Sequence, residues 1–323
     1  MIPLLLLACT GPTDDTSARR PPRDDTDADT DSDADADTDT DSDTDSDTDA
    51  DSDADGDVEA MCTRWNDDRA DTSESSWNGS VNSCNAGSMS DAWRDRALTQ
   101  VNVYRWLADL PPVTTNDDRN DASQECALMQ HANNTLSHYP DSSWECYDAD
   151  GASAAGQSNI ATTAAVYAVD LYMLDYGNDT TLGHRRWILS NGLGPIGIGS
   201  TSDYSCMWVL SGSGSDSTSW TAYPPPGPFP VEAMGSGSTG VDSVGWSIQS
   251  DTINLARASV TVTESGTDKP VTVTQLSSGY GSTYAIGFAA RGWTSQAWKT
   301  YEVSVTGISP TITYEVLMTD CGS

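Results

Sequence analysis

The sequence predicts a two-part chain: helices layered on a small sheet, of α/β or α+β type, followed by an all-β sandwich. Three observations predict it. Apolar residues recur at three- and four-residue spacing between Ser90 and about Tyr176, the period of a helix. After the run Pro224-Pro225-Pro226-Gly227-Pro228-Phe229-Pro230 the period changes to two, the period of a strand. Ahead of both, Asp alternates with Thr, Ser or Ala from Asp25 to Asp57, a pattern with no core-forming residue.

The chain opens on Ile2-Pro3-Leu4-Leu5-Leu6-Leu7-Ala8, then Cys9. Leu6-Leu7-Ala8-Cys9 resembles a bacterial lipobox, in which a small residue precedes the cysteine that becomes lipidated. The apolar run is shorter than an ordinary signal core and no basic residue precedes it, so the expectation is that the true start lies upstream or that Met1 is a mis-assigned start. No other apolar stretch approaches the ~20 residues of a transmembrane helix. The expectation is an exported protein, lipid-anchored through Cys9 or extracellular, with membrane contact only through that anchor.

The net charge is -34, and residues 13–57 carry half of it, 20 Asp against 3 Arg. Such a segment repels itself and stays extended. The 48 residues from Cys9 to Asp57 reach roughly 160 Å at about 3.3 Å per residue, enough to hold a folded body off a surface. Asp51, Asp53, Asp55 and Gly56 mimic the start of a calcium loop, but Cys62 stands where a bidentate Glu is needed. The remaining charge is also negative, which argues against nucleic acid and anionic headgroups as partners.

Residues 61–90 read as polar and irregular, anchored by Trp65 and Trp77. Ser90 then caps a helix in which Trp93, Ala97, Val101, Tyr104 and Ala108 share a face, and Pro111-Pro112 ends it. A second helix opens near Asp121 with Gln124 as its capping partner. Its stripe is Ala122, Cys126, Met129, Asn133 and Leu136, and it places His131 and His138 on one face if it persists that far. A third helix is predicted over 163–176 and a short one over 184–189, then strands over 196–200 and 206–211. After the prolines, strands are predicted over 243–250, 259–264, 271–276, 284–290, 300–306 and 311–318. Strands of this number and spacing suggest a sandwich resembling an immunoglobulin-like domain. Trp293 and Trp298 belong either to its core and loops or to a carbohydrate-stacking surface. The expected organisation is signal 1–9, tether 10–57, first domain 58–218, Pro-rich linker 219–230 and sandwich 231–323.

Cys62, Cys84, Cys126, Cys146, Cys206 and Cys321 form an even set without CxxC spacing, which on an exported chain reads as up to three disulfides. Six cysteines allow 15 pairings. The favoured one joins Cys126 to Cys146, which bracket a helix and its following loop.

An ordered series of motifs runs through the first domain: Val101-Asn102-Val103-Tyr104-Arg105, Leu110-Pro111-Pro112-Val113, Ala127-Leu128-Met129-Gln130-His131-Ala132, Leu136-Ser137-His138, Gly156-Gln157-Ser158-Asn159-Ile160-Ala161, Leu182-Gly183-His184-Arg185-Arg186-Trp187-Ile188-Leu189 and Gly197-Ile198-Gly199. Over about residues 90–211 this resembles a CAP (SCP-like) domain, the module of cysteine-rich secretory, antigen 5 and pathogenesis-related 1 proteins, in its bacterial branch. The resemblance implies an α-β-α sandwich, hence an α+β chain overall, with a central cleft of two His and two acidic residues. His138 matches the first His and His184 the bacterial histidine after the third helix. The Glu of the family's Gly-Glu-Asn-Ile motif is missing: Ser158 or Gln157 stands there, followed by Asn159. No histidine follows His184, so Tyr204 or Trp208 fills the last position.

Candidate ligand-binding residues are therefore His138, Gln157, Ser158, Asn159, His184, Tyr204 and Trp208. A divalent metal such as zinc would use His138 and His184, with Asp170, Asp175 or Asp179 as a third ligand, since a stable site takes three or four. The competing reading is that both imidazoles hydrogen-bond within the fold, so no cofactor is expected. His131 reads as a helix-packing residue, and Arg185 and Arg186 as partners of local carboxylates or a solvated face. There is no Gly-x-Ser-x-Gly elbow, P-loop or dinucleotide fingerprint. The preferred function is non-enzymatic binding of a ligand, a lipid or sterol or a protein by the resemblance. The alternatives are a metal-dependent hydrolase using the two histidines and a structural envelope spacer.

Overall fold

In the computed structural model, residues 6–7, 50–210 and 212–322 are described. Cys9 and most of the Asp-rich segment lie outside them. Helix α1 spans Ala50–Asp68, so Asp51–Gly56 is helical rather than a loop, and helix replaces the irregular chain expected after Met61. Its anchors are Met61 and Trp65, four residues apart and buried. Just beyond its end, Arg69 lies 4.5 Å over the Trp65 ring and forks onto Asp170 at 2.9 and 2.6 Å.

Helix α2 spans Asp91–Leu107, and Ser90 caps it as expected by accepting from the Trp93 amide. Helix α3 spans Asp117–Ala132 under an Asn116 cap. It thus opens earlier than predicted, and Gln124 caps nothing: its amide bonds Ala86 O and Ser200 O at 2.8 Å. Because α3 stops at Ala132, His138 lies beyond it and shares no helix face with His131. The chain continues through α4 (Ala149–Ala155), β2 (Ser158–Ala161), α5 (Ala165–Leu174), α6 (Gly183–Ile188), β3 (Gly197–Ser200) and β4 (Ser205–Trp208). With the two-residue strand β1 (Leu6–Leu7), these form a sheet of order β1-β2-β4-β3.

Strand alternation divides the core around this sheet. Ile160 and Cys206 pack with Cys126, Ala127, Ala154 and Ala155 of α3 and α4. Their neighbours Ala161 and Met207 pack with α2 and α5 through Val101, Tyr104, Val169 and Tyr172. Helices therefore cover both faces. At Gly199 an added Cβ would lie 2.1 Å from the Ser123 backbone, so only glycine lets α3 approach β3 this closely.

The Pro-rich segment expected as a linker carries two strands, β5 (Thr221–Tyr223) and β6 (Gly227–Pro230). Proline lacks an N–H, which restricts it to sheet edges, and β6, which carries Pro228 and Pro230, is an edge strand. After a short helix α7 (Val241–Val244) come β7 (Trp246–Ser250), β8 (Ser259–Glu264), β9 (Thr267–Asp268), β10 (Val271–Gln275), β11 (Tyr284–Ala290), β12 (Lys299–Thr306) and β13 (Ile312–Thr319). One sheet has the order β10-β11-β7-β5 and the other β6-β13-β12-β8-β9, with β6 parallel to β13. Their side chains meet where Trp246 of β7 contacts Tyr301 of β12 at 6.0 Å; Phe288, 5.9 Å from Trp246, is its cross-strand partner in the first sheet. Trp293 stacks on Tyr301 at 5.4 Å and belongs to this core, whereas Trp298 is 60% exposed.

One apolar cluster runs from Met61 to Met318 across both parts of the chain. Two arginines reinforce it. Arg185 and Arg186 are buried, not solvated, and bond backbone carbonyls rather than the expected carboxylates. Arg185 donates to Met173 O (2.7 Å), Leu174 O (3.2 Å), Gly245 O (2.7 Å) and Ser247 Oγ (3.2 Å), and lies 4.9 Å over Tyr223. Arg186 donates to Ser277 O at 2.7 Å and Ser282 O at 3.0 Å. Burial lowers both guanidinium pKa values, that of Arg186 to about 10.

Three disulfides join Cys62–Cys321, Cys84–Cys146 and Cys126–Cys206. The expected Cys126–Cys146 pair is not formed. Cys126 sits on the buried face of α3 against β4, while Cys146 lies in the loop beyond His138; neighbours in sequence face different surroundings.

Candidate functional site

The two histidines that carried the functional expectation are buried. His184 opens α6, just after a loop in which Asp175 (φ 55) and Leu182 (φ 44) adopt left-handed backbone. That turn brings Asp175 Oδ1 within 2.7 Å of His184 Nδ1, a geometry in which the imidazole donates. Asp175 also accepts from Asn178 Nδ2 (3.1 Å) and the Arg185 amide (3.2 Å). The His184 ring stacks on Tyr172 at 5.1 Å, and its carbonyl accepts from Asn159 Nδ2 at 3.2 Å. His184 and Asp175 are fully buried. Of the three Asp suggested as a third metal ligand, Asp175 meets His184, while Asp170 bonds Arg69 and Tyr104. His138 is also buried, with Nδ1 2.8 Å from Ala155 O at the end of α4.

The other sequence candidates scatter around this core. The Gln157 carbonyl accepts from the Val209 and Leu210 amides, and Ser158 is fully buried in β2. Tyr204 stacks on His131 at 5.4 Å and donates to Asn134 Oδ1 at 3.0 Å. Burial, aided by Asp203, raises its hydroxyl pKa. Trp77 lies 5.3 Å from His131 on the other contact, so His131 packs between aromatics. Among the described residues, no three His, Cys, Asp or Glu side chains gather as a metal would need.

The open site lies elsewhere. A cleft of about 710 Å³ runs between residues 87–89, the first half of α3 and the start of α4. Its walls carry Asp118, Asp121, Glu125, Asp148 and Asp150 against Arg94 and Arg119, with Trp208 as an aromatic surface. Arg119 holds its guanidinium 5.6 Å over Trp208 and bonds Pro195 O. Glu125 sits where α4 crosses α3; burial, then Asp148 and Asp121, raise its carboxyl pKa. Of the sequence candidates only Trp208 lines this cleft. A signal for the rest was present: positions 118, 121 and 125 are three and four residues apart, which places three acids on one face of α3. Asp148 and Asp150 carried no comparable signal, because α4 was not predicted.

Residues 98–210, just over a third of the chain, match the family model of the cysteine-rich secretory protein family, CAP. No curated protein and no solved structure matches the chain.

Proposed function

Starting from a CAP domain at residues 98–210, we propose that this chain is an exported, surface-tethered module that binds a partner protein and performs no chemistry of its own. The observation that carries the reading is the cleft between residues 87–89, α3 and α4. Its five carboxylates outnumber its two guanidiniums, which suits a partner surface rich in Lys and Arg. A sterol or fatty acid would need a mainly apolar lining. The histidines support the same reading. A catalytic metal takes three protein ligands and an open position for water, whereas His138 and His184 are buried and bonded to Ala155 O and Asp175.

Export and tethering rest on the Leu-Ala-Cys9 leader and the Asp-rich segment. Processing ahead of Cys9 would remove β1. Among the described residues no helix is long and apolar enough to cross a membrane. In this reading the two C-terminal sheets act as an immunoglobulin-like spacer, joined firmly to the CAP domain.

A short Lys-rich peptide is the probe that tests the cleft. Binding is measured on the full chain, comparing wild type with the double variant Asp121→Asn, Glu125→Gln; both carry the same acidic segment, so their difference reports the cleft. The variant is expected to bind about tenfold more weakly, equivalent to ~1.4 kcal/mol, with the gap closing in high salt. Equal affinities would remove the cleft from the reading. Elemental analysis of wild type and His138→Ala, His184→Ala tests the hydrolase alternative. One zinc per chain that disappears in the double variant would favour it.

A further inference from the structure

We propose that the Cys84–Cys146 disulfide is a reducible strap beside this cleft, and that thiol reductants free residues 79–85, the tip that leads into its wall at Gly87–Met89; the functional part of the proposal rests on the cleft being the binding site. Position comes first. Cys84 precedes Gly87, Ser88 and Met89 on one wall, and Cys146 precedes Asp148 and Asp150 on the facing wall. The bond therefore ties the two sides together.

Access distinguishes this bond from the other two. Cys84 is exposed and Cys146 half-buried. Cys126 and Cys206 are fully buried, and Cys62 and Cys321 are each half-buried against the core. Backbone conformation adds a second distinction. Cys84 (φ 47) and Cys146 (φ 56) both adopt left-handed backbone, which none of the other four cysteines does. Non-glycine residues persist there only when surrounding structure holds them, and cutting the bond removes part of that hold.

The two walls differ in what remains after cutting. On the Cys146 side, Asn133 clamps Glu145 in both directions, Nδ2 to O at 3.0 Å and Oδ1 from N at 3.1 Å. On the Cys84 side, the tip closes on itself through Ser80 and Asn85 (2.8 and 3.0 Å). Firm attachment resumes at Ala86, whose carbonyl accepts from Trp77 Nε1 and Gln124 Nε2 at 2.8 Å. Asn78 is held to Ser88, its Oδ1 accepting from the Ser88 amide at 2.8 Å and its Nδ2 donating to Ser88 Oγ at 3.2 Å, so the moving part is the tip at residues 79–85.

The reductant is a low-molecular-weight thiol or a dithiol protein. Its thiolate attacks Cys84 Sγ, forming a mixed disulfide and expelling the Cys146 thiolate, which takes up a proton. A second reductant thiolate attacks the reductant sulfur of that mixed disulfide and releases Cys84, which is protonated in turn. Two electrons enter the protein, and two reductant thiols leave as one disulfide.

The test needs no partner, so its failure is separable from failure of the peptide titration. Oxidised full-length protein is exposed to graded dithiothreitol under native conditions, trapped with iodoacetamide and mapped by mass spectrometry. Cys84 and Cys146 should be labelled at least about tenfold faster than the other four cysteines, because thiolate attack needs an accessible sulfur. Hydrogen exchange on the partly reduced wild type and on Cys84→Ser, Cys146→Ser should show protection lost over 79–85, with α3 and the C-terminal sheets unchanged. If the double variant does not fold, the partly reduced wild type decides. Prior or simultaneous labelling of another pair, or unchanged protection over 79–85, would overturn the proposal.

Discussion

Arg185 offers the sharpest test of how the two parts of the chain are joined. Arg185→Met keeps an unbranched apolar stem but removes every donor. The carbonyls of Met173, Leu174 and Gly245 each lose a partner, and an unpaired buried acceptor costs ~1–3 kcal/mol. Against that, wild type bears the desolvation of a fully buried guanidinium, seen in its lowered pKa, and methionine is free of it. Three such carbonyls cost about 3–9 kcal/mol together, and the desolvation relief places the net at the lower end, about 3–5 kcal/mol. For a folded body of this size each kcal/mol shifts Tm by roughly 2 °C. The expected shift is therefore about 6–10 °C downward, measured by calorimetry on the full chain at neutral pH. Because Arg185 links α5 and α6 to residues 245–247, both proteins should melt in one transition. A shift below about 2 °C, or two separate transitions in wild type, would show that Arg185 does not couple the two parts.

Replacing Cys126 and Cys206 by Ser opens a loop closed over a separation of 80 residues; loop entropy sets the cost at about 4.5 kcal/mol, read from the denaturation midpoint. Cys9→Ser should move the protein from the membrane fraction into the medium or periplasm, and unchanged fractionation would remove the anchor. Glu125→Gln carries a pH signature. The raised carboxyl pKa of Glu125 means its contribution favours folding at low pH and is lost as pH rises through the folded value. The variant should therefore be more stable than wild type near neutrality, with the gap closing on acidification; thermal melts across pH 3–7, about the span of the carboxylate range, measure it.

What could be read from the sequence followed local periodicity. Ser90 and the stripe from Trp93 to Val101 announced α2, and the period-two runs announced β8 and β11 with the bounds observed. Elements stabilised mainly from outside were missed. Helix α1 lies in an acidic run and is anchored by Met61 and Trp65, with Cys62 half-buried between them. Strand β6 reads as a proline linker and becomes a strand only because β13 lies beside it. Helix α4 is short and rich in Ala and Gly, with a cap at Asp148 that looks like any loop Asp. The histidine motifs were legible as motifs, but burial depends on what packs over them, and Tyr172 and Asp175 come from α5 and the residue that ends it. The disulfide partners were illegible for the same reason: the Cys126 partner is set by the register of β4 against β2 and β3, not by chain distance.

The Cys62–Cys321 bond has a topological consequence. It joins α1 to the last residues of the chain across a separation of 259 residues, turning nearly the whole folded body into a covalent ring. Helix α1 and the segment at Cys321 meet at the same pole, so whatever lies upstream of α1 holds both segments at once. A single cut by a protease at a surface turn inside that ring would linearise it without detaching either piece. The nicked molecule would migrate as one species on a denaturing gel until a reductant separated the fragments. Shedding the body requires a cut upstream of Cys62.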